Sequence, residues 1–273
     1  MVLTADVSYT KDINAAHVQN WGLRTPSSNL VGVDNRELYE NADKGNSAFV
    51  FTNSDQGRIF NAAVKAQKTW DNGLFAQLAY SYLDAREVNS VDAEITGDAF
   101  NANAVAGNAN TDVLSNSRYG DTHRFIGVIS KAFKTGTTIS TFFEYAQGGR
   151  FNYIYGGDIN NDGSAINDLL YIPTASEIGQ MTFSGDGQAE AFEAFIQQDD
   201  YLSDRRGQYA ERYGALAPWR GSCDIKILQD SFVPDFSQAP VFTFVPNHRI
   251  TFTANTFERS RWRAQVGVRY IFN

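Results

Sequence analysis

The chain has 273 residues and a formal net charge of −8, which argues against a nucleic-acid partner because phosphate binding needs an excess of Lys and Arg. One cysteine, Cys223, excludes an internal disulfide framework and any cysteine metal cluster, and three scattered histidines (His17, His123, His248) suggest no His-rich site. Abundant Phe and Tyr beside many Asn, Asp, Gly, Ser and Thr suit strands separated by polar loops.

From the start, MVLTADVSYTKD lacks the basic and then apolar runs of a signal peptide. It alternates instead, with Leu3, Ala5, Val7 and Tyr9 against Thr4, Asp6, Ser8 and Thr10. RIFNAAVKAQKTW sets Phe60, Ala62, Val64, Ala66 and Trp70 against Asn61, Lys65, Gln67 and Thr69. The turn DNG leads into LFAQLAYSYLDA, where Leu74, Ala76, Leu78, Tyr80 and Tyr82 oppose Gln77 and Ser81. A second tight turn, KTGT, precedes TTISTFFEYAQG, which alternates less cleanly through Ile139, Phe143 and Tyr145. SCDIKI offers Cys223, Ile225 and Ile227 opposite Ser222, Asp224 and Lys226. Last, RWRAQVGVRYIFN sets Trp262, Ala264, Val266, Val268, Tyr270 and Phe272 against Arg261, Arg263, Gln265, Gly267 and Arg269.

Strands with one apolar and one polar face separate two media: a core and water, or lipid and a wet lumen. Connection lengths favour lipid. Tight turns alternate with long polar stretches, roughly 23–56, 89–122 and 157–219, so every long loop falls at one end of the sheet. No run approaches the roughly 18 apolar residues of a membrane helix. The fold expected is therefore all-β: an antiparallel transmembrane β-barrel portion of about eight strands, with long external loops and one short helix. Trp70, Phe75, Trp262, Tyr270 and Phe272 near strand ends would form its interfacial girdles.

The third loop contains the most chemistry. In YGGDINNDGSAINDLLYIP, Asp158, Asn160, Asp162, Gly163 and Ser164 follow the spacing of a calcium loop, with Asp168 one residue short of the position where the bidentate acid belongs. The five candidate ligands of a structural Ca²⁺ are thus Asp158, Asn160, Asp162, Ser164 and Asp168; the alternative is a run of Asx turns without metal. Ala191, Phe192, Phe195 and Ile196 lie at helical spacing. The charges of DRRGQYAER are expected to pair locally; the other reading has Arg205, Arg206 and Arg212 holding an anion. Nothing points to an enzyme: there is no nucleophile elbow, phosphate loop or zinc signature, and Glu144 has no identifiable partner. His17 and His123 read as ordinary polar positions, and Cys223 as a small hydrophobe.

Together, YGGDINNDGSAINDLLYIP, RRGQYAERYGALAPW, DIKILQD and RWRAQVGVRYIFN resemble the C-terminal barrel region of TonB-dependent outer-membrane receptors, the Bacteroidota type with a carboxypeptidase-regulatory-like domain. The blocks GGDINNDG…NDLLYIP and RGQYAER are the more specific ones, and the resemblance covers nearly the whole chain. It implies a barrel of roughly 22 strands around a plug, uptake of a bulky nutrient, and a place in the cell outer membrane. The implied partners are outer-membrane lipid, the rest of the barrel and plug, and the TonB complex through an N-terminal part. The sequence departs from that family in showing no TonB box or plug, and a strand is expected to be missing after Asp230. Residues 1–273 are then the C-terminal part of a barrel, with 157–219 as an external loop. The seventh strand must come from VFTFV or HRITFTAN. Two rivals stand beside this reading: a surface or secreted calcium-binding β-sheet protein, and a small autonomous outer-membrane barrel.

Overall fold

In the computed structural model, which describes residues 1–40, 47–90, 93–229, 247–253 and 264–267, the alternating segments are strands of one antiparallel sheet. They are β1 (Val2–Lys11), β2 (Arg58–Thr69), β3 (Leu74–Glu87), β4 (Asp121–Ala132), β5 (Thr137–Gly148), β6 (Arg220–Gln229), β7 (Asn247–Thr253) and β8 (Ala264–Gly267). Each pairs with its neighbour in chain order as a meander of eight strands, and the two-residue strand Ser115–Asn116 adds a ninth by pairing with the end of β3. Strands make up 45% of the chain and helices little, as the all-β reading expects; among the described residues β1 and β8 do not meet, so no closed barrel forms. The seventh strand comes from HRITFTAN. Of the last alternating segment, only Ala264–Gly267 is described; Trp262, Val268, Tyr270 and Phe272, and the gap expected after Asp230, lie outside the described residues.

The two short connections are built alike. Trp70 N–H donates to the Leu74 carbonyl at 2.8 Å, and Phe133 N–H to the Thr137 carbonyl at 2.8 Å, each closing a three-residue turn. Both turns end in a glycine with positive φ, Gly73 at 81° and Gly136 at 77°, the position that such hairpins reserve for a left-handed residue.

Register then sorts the side chains. Direct pairs run Tyr9–Phe60, Ala62–Tyr82, Val64–Tyr80, Tyr80–Phe125, Phe125–Tyr145 and Phe143–Cys223. Because opposed residues share a face, the apolar positions of β1 to β6 form one continuous surface. Pairing continues with Ile225 opposite Ile250 and Ile250 opposite Val266. The other side carries Asn61, Lys65, Gln67, Gln77, Ser81, Arg124, Ser130, Ser140, Glu144, Asp224 and Lys226.

The buried core does not lie on this sheet. Among the described buried apolar residues only Ala146 belongs to strands β1 to β6, whereas Leu3, Val7 and Leu78 on the apolar face are 65%, 72% and 51% exposed. The core sits in the long connections, residues 12–57, 88–120 and 149–219, which fold over one end of the sheet as a packed layer. The first contains two hairpins of its own, Ala15–Asn20 with Phe49–Ser54 and Ser28–Asn29 with Glu37–Leu38. The second holds α1 (Thr96–Asn101); the third holds α2 (Ala175–Ile178), α3 (Gln188–Gln198) and α4 (Asp200–Ser203). The helix expected around Phe192 is α3. The expectation of a single helix in otherwise polar loops is corrected, because small apolar residues scattered through these loops supply a core that no periodicity announces.

Candidate functional site

The loop layer has two apolar centres. One gathers Val18, Ala99, Phe100, Val105 and Ala109 from the first and second loops. The other joins Ala104 to Leu169, Ile172, Ile178, Ile196 and Leu202. Between them runs the segment NDLLYIP. Val105 N–H donates to the Asn167 carbonyl at 2.7 Å and Leu169 N–H to the Val105 carbonyl at 2.9 Å, so the second loop lies along it like an added strand.

An arginine from the first loop fixes that segment. Arg36 is buried, and its guanidinium reaches the Asp34 carboxylate, with Nη2 to Oδ2 at 2.8 Å. It also reaches Asp168, with Nη1 to Oδ1 at 2.8 Å, and the Leu169 carbonyl at 2.5 Å. Tyr155 and Tyr209 flank it, each ring centre 5.2 Å from the guanidinium carbon, and the Tyr209 hydroxyl donates to Asp34 at 3.0 Å. Burial alone would lower the pKa of Arg36, but hydrogen bonds and charge from Asp34 and Asp168 outweigh it and hold the guanidinium above its ordinary value. Burial and the bond to Asp34 push the Tyr209 phenol up to about 12.

The five residues read as calcium ligands are divided by this arrangement. Asp158, Asn160, Asp162 and Ser164 follow one another round a chain of side-chain-capped turns. Asn160 Oδ1 accepts from Asp162 N–H at 2.9 Å, Asp162 Oδ1 from Ser164 N–H at 2.9 Å, and Ser164 Oγ from Ile166 N–H at 3.3 Å. Asp158 accepts from the N–H groups of Asp162 and Gly163 at 3.1 and 3.0 Å, while Asp162 Oδ2 takes the Asn167 amide at 2.7 Å. Asp168 binds Arg36 through Oδ1 and accepts from the Ile159 N–H of the turn through Oδ2 at 3.0 Å. Among the described residues no three His, Cys, Asp or Glu side chains are grouped to hold a metal. The entry to LLYIP, whose fixing was expected of calcium, is held here by Arg36 through Asp168 and the Leu169 carbonyl. Sequence reasoning missed Arg36 because a lone arginine in a polar loop carries no signal of the acid it will meet more than a hundred residues away.

Other expectations are also revised. Glu144 has a partner, Arg124 at 2.8 Å. His17 is fully buried, 3.3 Å from Asp112 and 3.3 Å from the Asn110 carbonyl, and is no ordinary polar position. His123 accepts or donates a 2.8 Å bond with the Tyr80 hydroxyl. It belongs to a row of rings on the apolar face next to the loop layer: Phe60, Tyr82, His123, Trp219 and Tyr145, with neighbouring centroids 5.1 to 6.4 Å apart. At the turn end, Lys68 lies over Trp70 at 5.0 Å and Lys131 over Phe133 at 5.9 Å. Phe75, expected in that girdle, pairs with Thr69 and Ser130 and so stands on the polar side.

No protein-family model matches the chain, and no curated protein or solved structure matches it.

Proposed function

We propose that the chain is the C-terminal barrel portion of an outer-membrane transporter of the TonB-dependent receptor type, taking part in uptake of a bulky nutrient. One observation carries the membrane part of this reading: the apolar face shared by β1 to β6 is exposed, while the buried core lies elsewhere. In a soluble sheet such a surface would be covered; lipid is the medium that leaves it uncovered at no cost. Its height agrees. Phe60 on β2 and Trp70, the residue just after it, mark the two aromatic rows, and ten residue steps span about 33 Å. A strand tilted by about 40° crosses about 25 Å in that length, the height of an outer-membrane apolar band. The loop layer is then external and the two glycine turns periplasmic. The receptor assignment, the nutrient and the TonB partner rest on the resemblance of GGDINNDG…NDLLYIP and RGQYAER alone.

Adjacent residues of β3 provide the test. In the complete barrel inserted in lipid vesicles, Leu78→Arg should cost about 2–4 kcal/mol, because it places a charge at mid-bilayer, whereas Gln77→Arg should cost well under half of that. Equal tolerance of the two, measured by denaturant unfolding from vesicles, would mean that water reaches both faces and would overturn the membrane reading.

A further inference from the structure

Asp162 is a buried carboxylate that meets no cation among the described residues. It is 2% exposed, and its oxygens take only neutral donors: the Ser164 N–H at 2.9 Å, the Asn167 amide at 2.7 Å and the Asn160 amide at 3.3 Å. Asp168, in the same segment, has Arg36 to meet its charge and adds a like charge beside Asp162. Burial, with that neighbour, holds the Asp162 carboxyl above its ordinary pKa. A buried charge met by neutral donors alone is costly unless a counter-ion completes it.

Buried oxygens without partners adjoin that carboxylate. Asn167 is 0% exposed; its Nδ2 is spent on Asp162, and its Oδ1 has no partner. Turning the planar amide over exchanges its two atoms and sets Oδ1 where Nδ2 stands, 2.7 Å from Asp162 Oδ2. Two oxygens so placed repel unless a cation lies against both. Tyr39, whose N–H donates to the Asn160 carbonyl at 2.8 Å, is also buried, and its hydroxyl has no partner. Burial, and then the charges of Glu37 and Asp162, hold that phenol above its ordinary pKa.

We propose that the DINNDGS turn binds one Ca²⁺, held by the Asp162 carboxylate, by Asn167 Oδ1 and, from the more open side of the turn, by the Asp158 carboxylate. Every donor is an oxygen, which selects a hard cation. Asn160, Asp162 and Asn167 are each at most 2% exposed, so an ion among them loses most of its water. Mg²⁺ gives up its waters reluctantly and demands an octahedron, whereas Ca²⁺ accepts irregular oxygen shells. Asp168 stays with Arg36, so the ion and the arginine hold successive parts of the third loop. The inference does not depend on the membrane reading, since every ligand lies in the loop layer.

The test uses the full-length protein freed of divalent cations, followed by thermal unfolding and by tyrosine-sensitised Tb³⁺ luminescence. Ca²⁺ should raise the unfolding temperature and displace Tb³⁺ saturably, with half-effect at or below about 1 mM, and Mg²⁺ should act at least about tenfold more weakly. Asp162→Asn should weaken Ca²⁺ binding by at least about tenfold. In chelator the same variant should be no less stable than the native protein, because it removes a buried charge that no cation meets. Asp158→Asn should weaken Ca²⁺ likewise and decides the matter if the first variant does not fold, whereas Asp186→Asn, an exposed acid of the same loop, should change nothing. No saturable effect of Ca²⁺, an equal response to Mg²⁺, unchanged Ca²⁺ affinity in either folded turn variant, or an equal loss in Asp186→Asn would each overturn the proposal.

Discussion

Buried charge is concentrated at a few residues of the loop layer, and those residues determine how it responds to mutation and pH. Arg36 is enclosed by Asp34 and Asp168, so Arg36→Met leaves two buried carboxylates without their cation and should cost about 3–5 kcal/mol. Adding Asp168→Asn to that variant should restore part of the loss, since the uncompensated charge and not the missing contact dominates; thermal unfolding of the native chain and the two variants measures this. Tyr209 gives the pH response. Its folded-state pKa, about 12, lies above the ordinary 10.0, so the folded state favours the neutral phenol. The stability it contributes is complete below pH 10 and is lost as pH rises from 10 towards 12. Ultraviolet phenolate absorbance should therefore show a class of tyrosines ionising late and together with loss of the loop fold, and Tyr209→Phe should diminish that class.

For the elements, turn chemistry and alternation were legible because both are local. DNG and KTGT specified their hairpins through a glycine in the left-handed region, and β1, β2 and β3 formed where period-two alternation placed them. At Gly73 an added Cβ would stand 2.6 Å from the Ala132 carbonyl oxygen, a backbone atom that cannot swing aside, and φ is 81°. Gly73→Val should cost about 1–3 kcal/mol and loosen the β2–β3 register, seen as faster amide exchange near Trp70 and Leu74. The elements of the loops were less legible. The helix α3 could be read because Phe192 and Ile196 are one turn apart and both pack inward. The hairpin Ala15–Asn20 with Phe49–Ser54 could not, since its strands lie far apart in sequence and are joined to the second loop by Asn110. That side chain accepts from Asn20 N–H at 2.7 Å and donates to the Asn20 carbonyl at 2.8 Å. A bond between residues 90 apart leaves no local trace.

At the scale of the whole molecule, the arrangement is a sheet with one uncovered apolar face and a packed polar-and-apolar cap at one end. Its edge strand β1 pairs on one side only among the described residues, leaving a row of backbone groups without partners there. Hydrocarbon does not tolerate such an edge, so under the proposed function β1 pairs with a further strand in the complete barrel. Refolded alone into lipid vesicles, the chain should give no heat-shifted compact band on unheated gel electrophoresis. A compact, heat-modifiable band would mean that the eight strands close on themselves, and would favour a small autonomous barrel.

What the sequence determined by itself was the sheet and its two faces, because strand alternation and glycine turns are consequences of chirality and sterics within a few residues. It also marked the DINNDGS turn, whose Asp and Asn side chains cap the backbone two residues on. What only the tertiary structure decided was which groups meet across loops. Asp168 pairs with Arg36 while also capping the turn at Ile159, and Arg212 alone of three arginines was buried without an acid. Charge pairing depends on distance in space, and in these long loops that distance is set by packing around Ile172, Ile196 and Phe100, not by spacing along the chain.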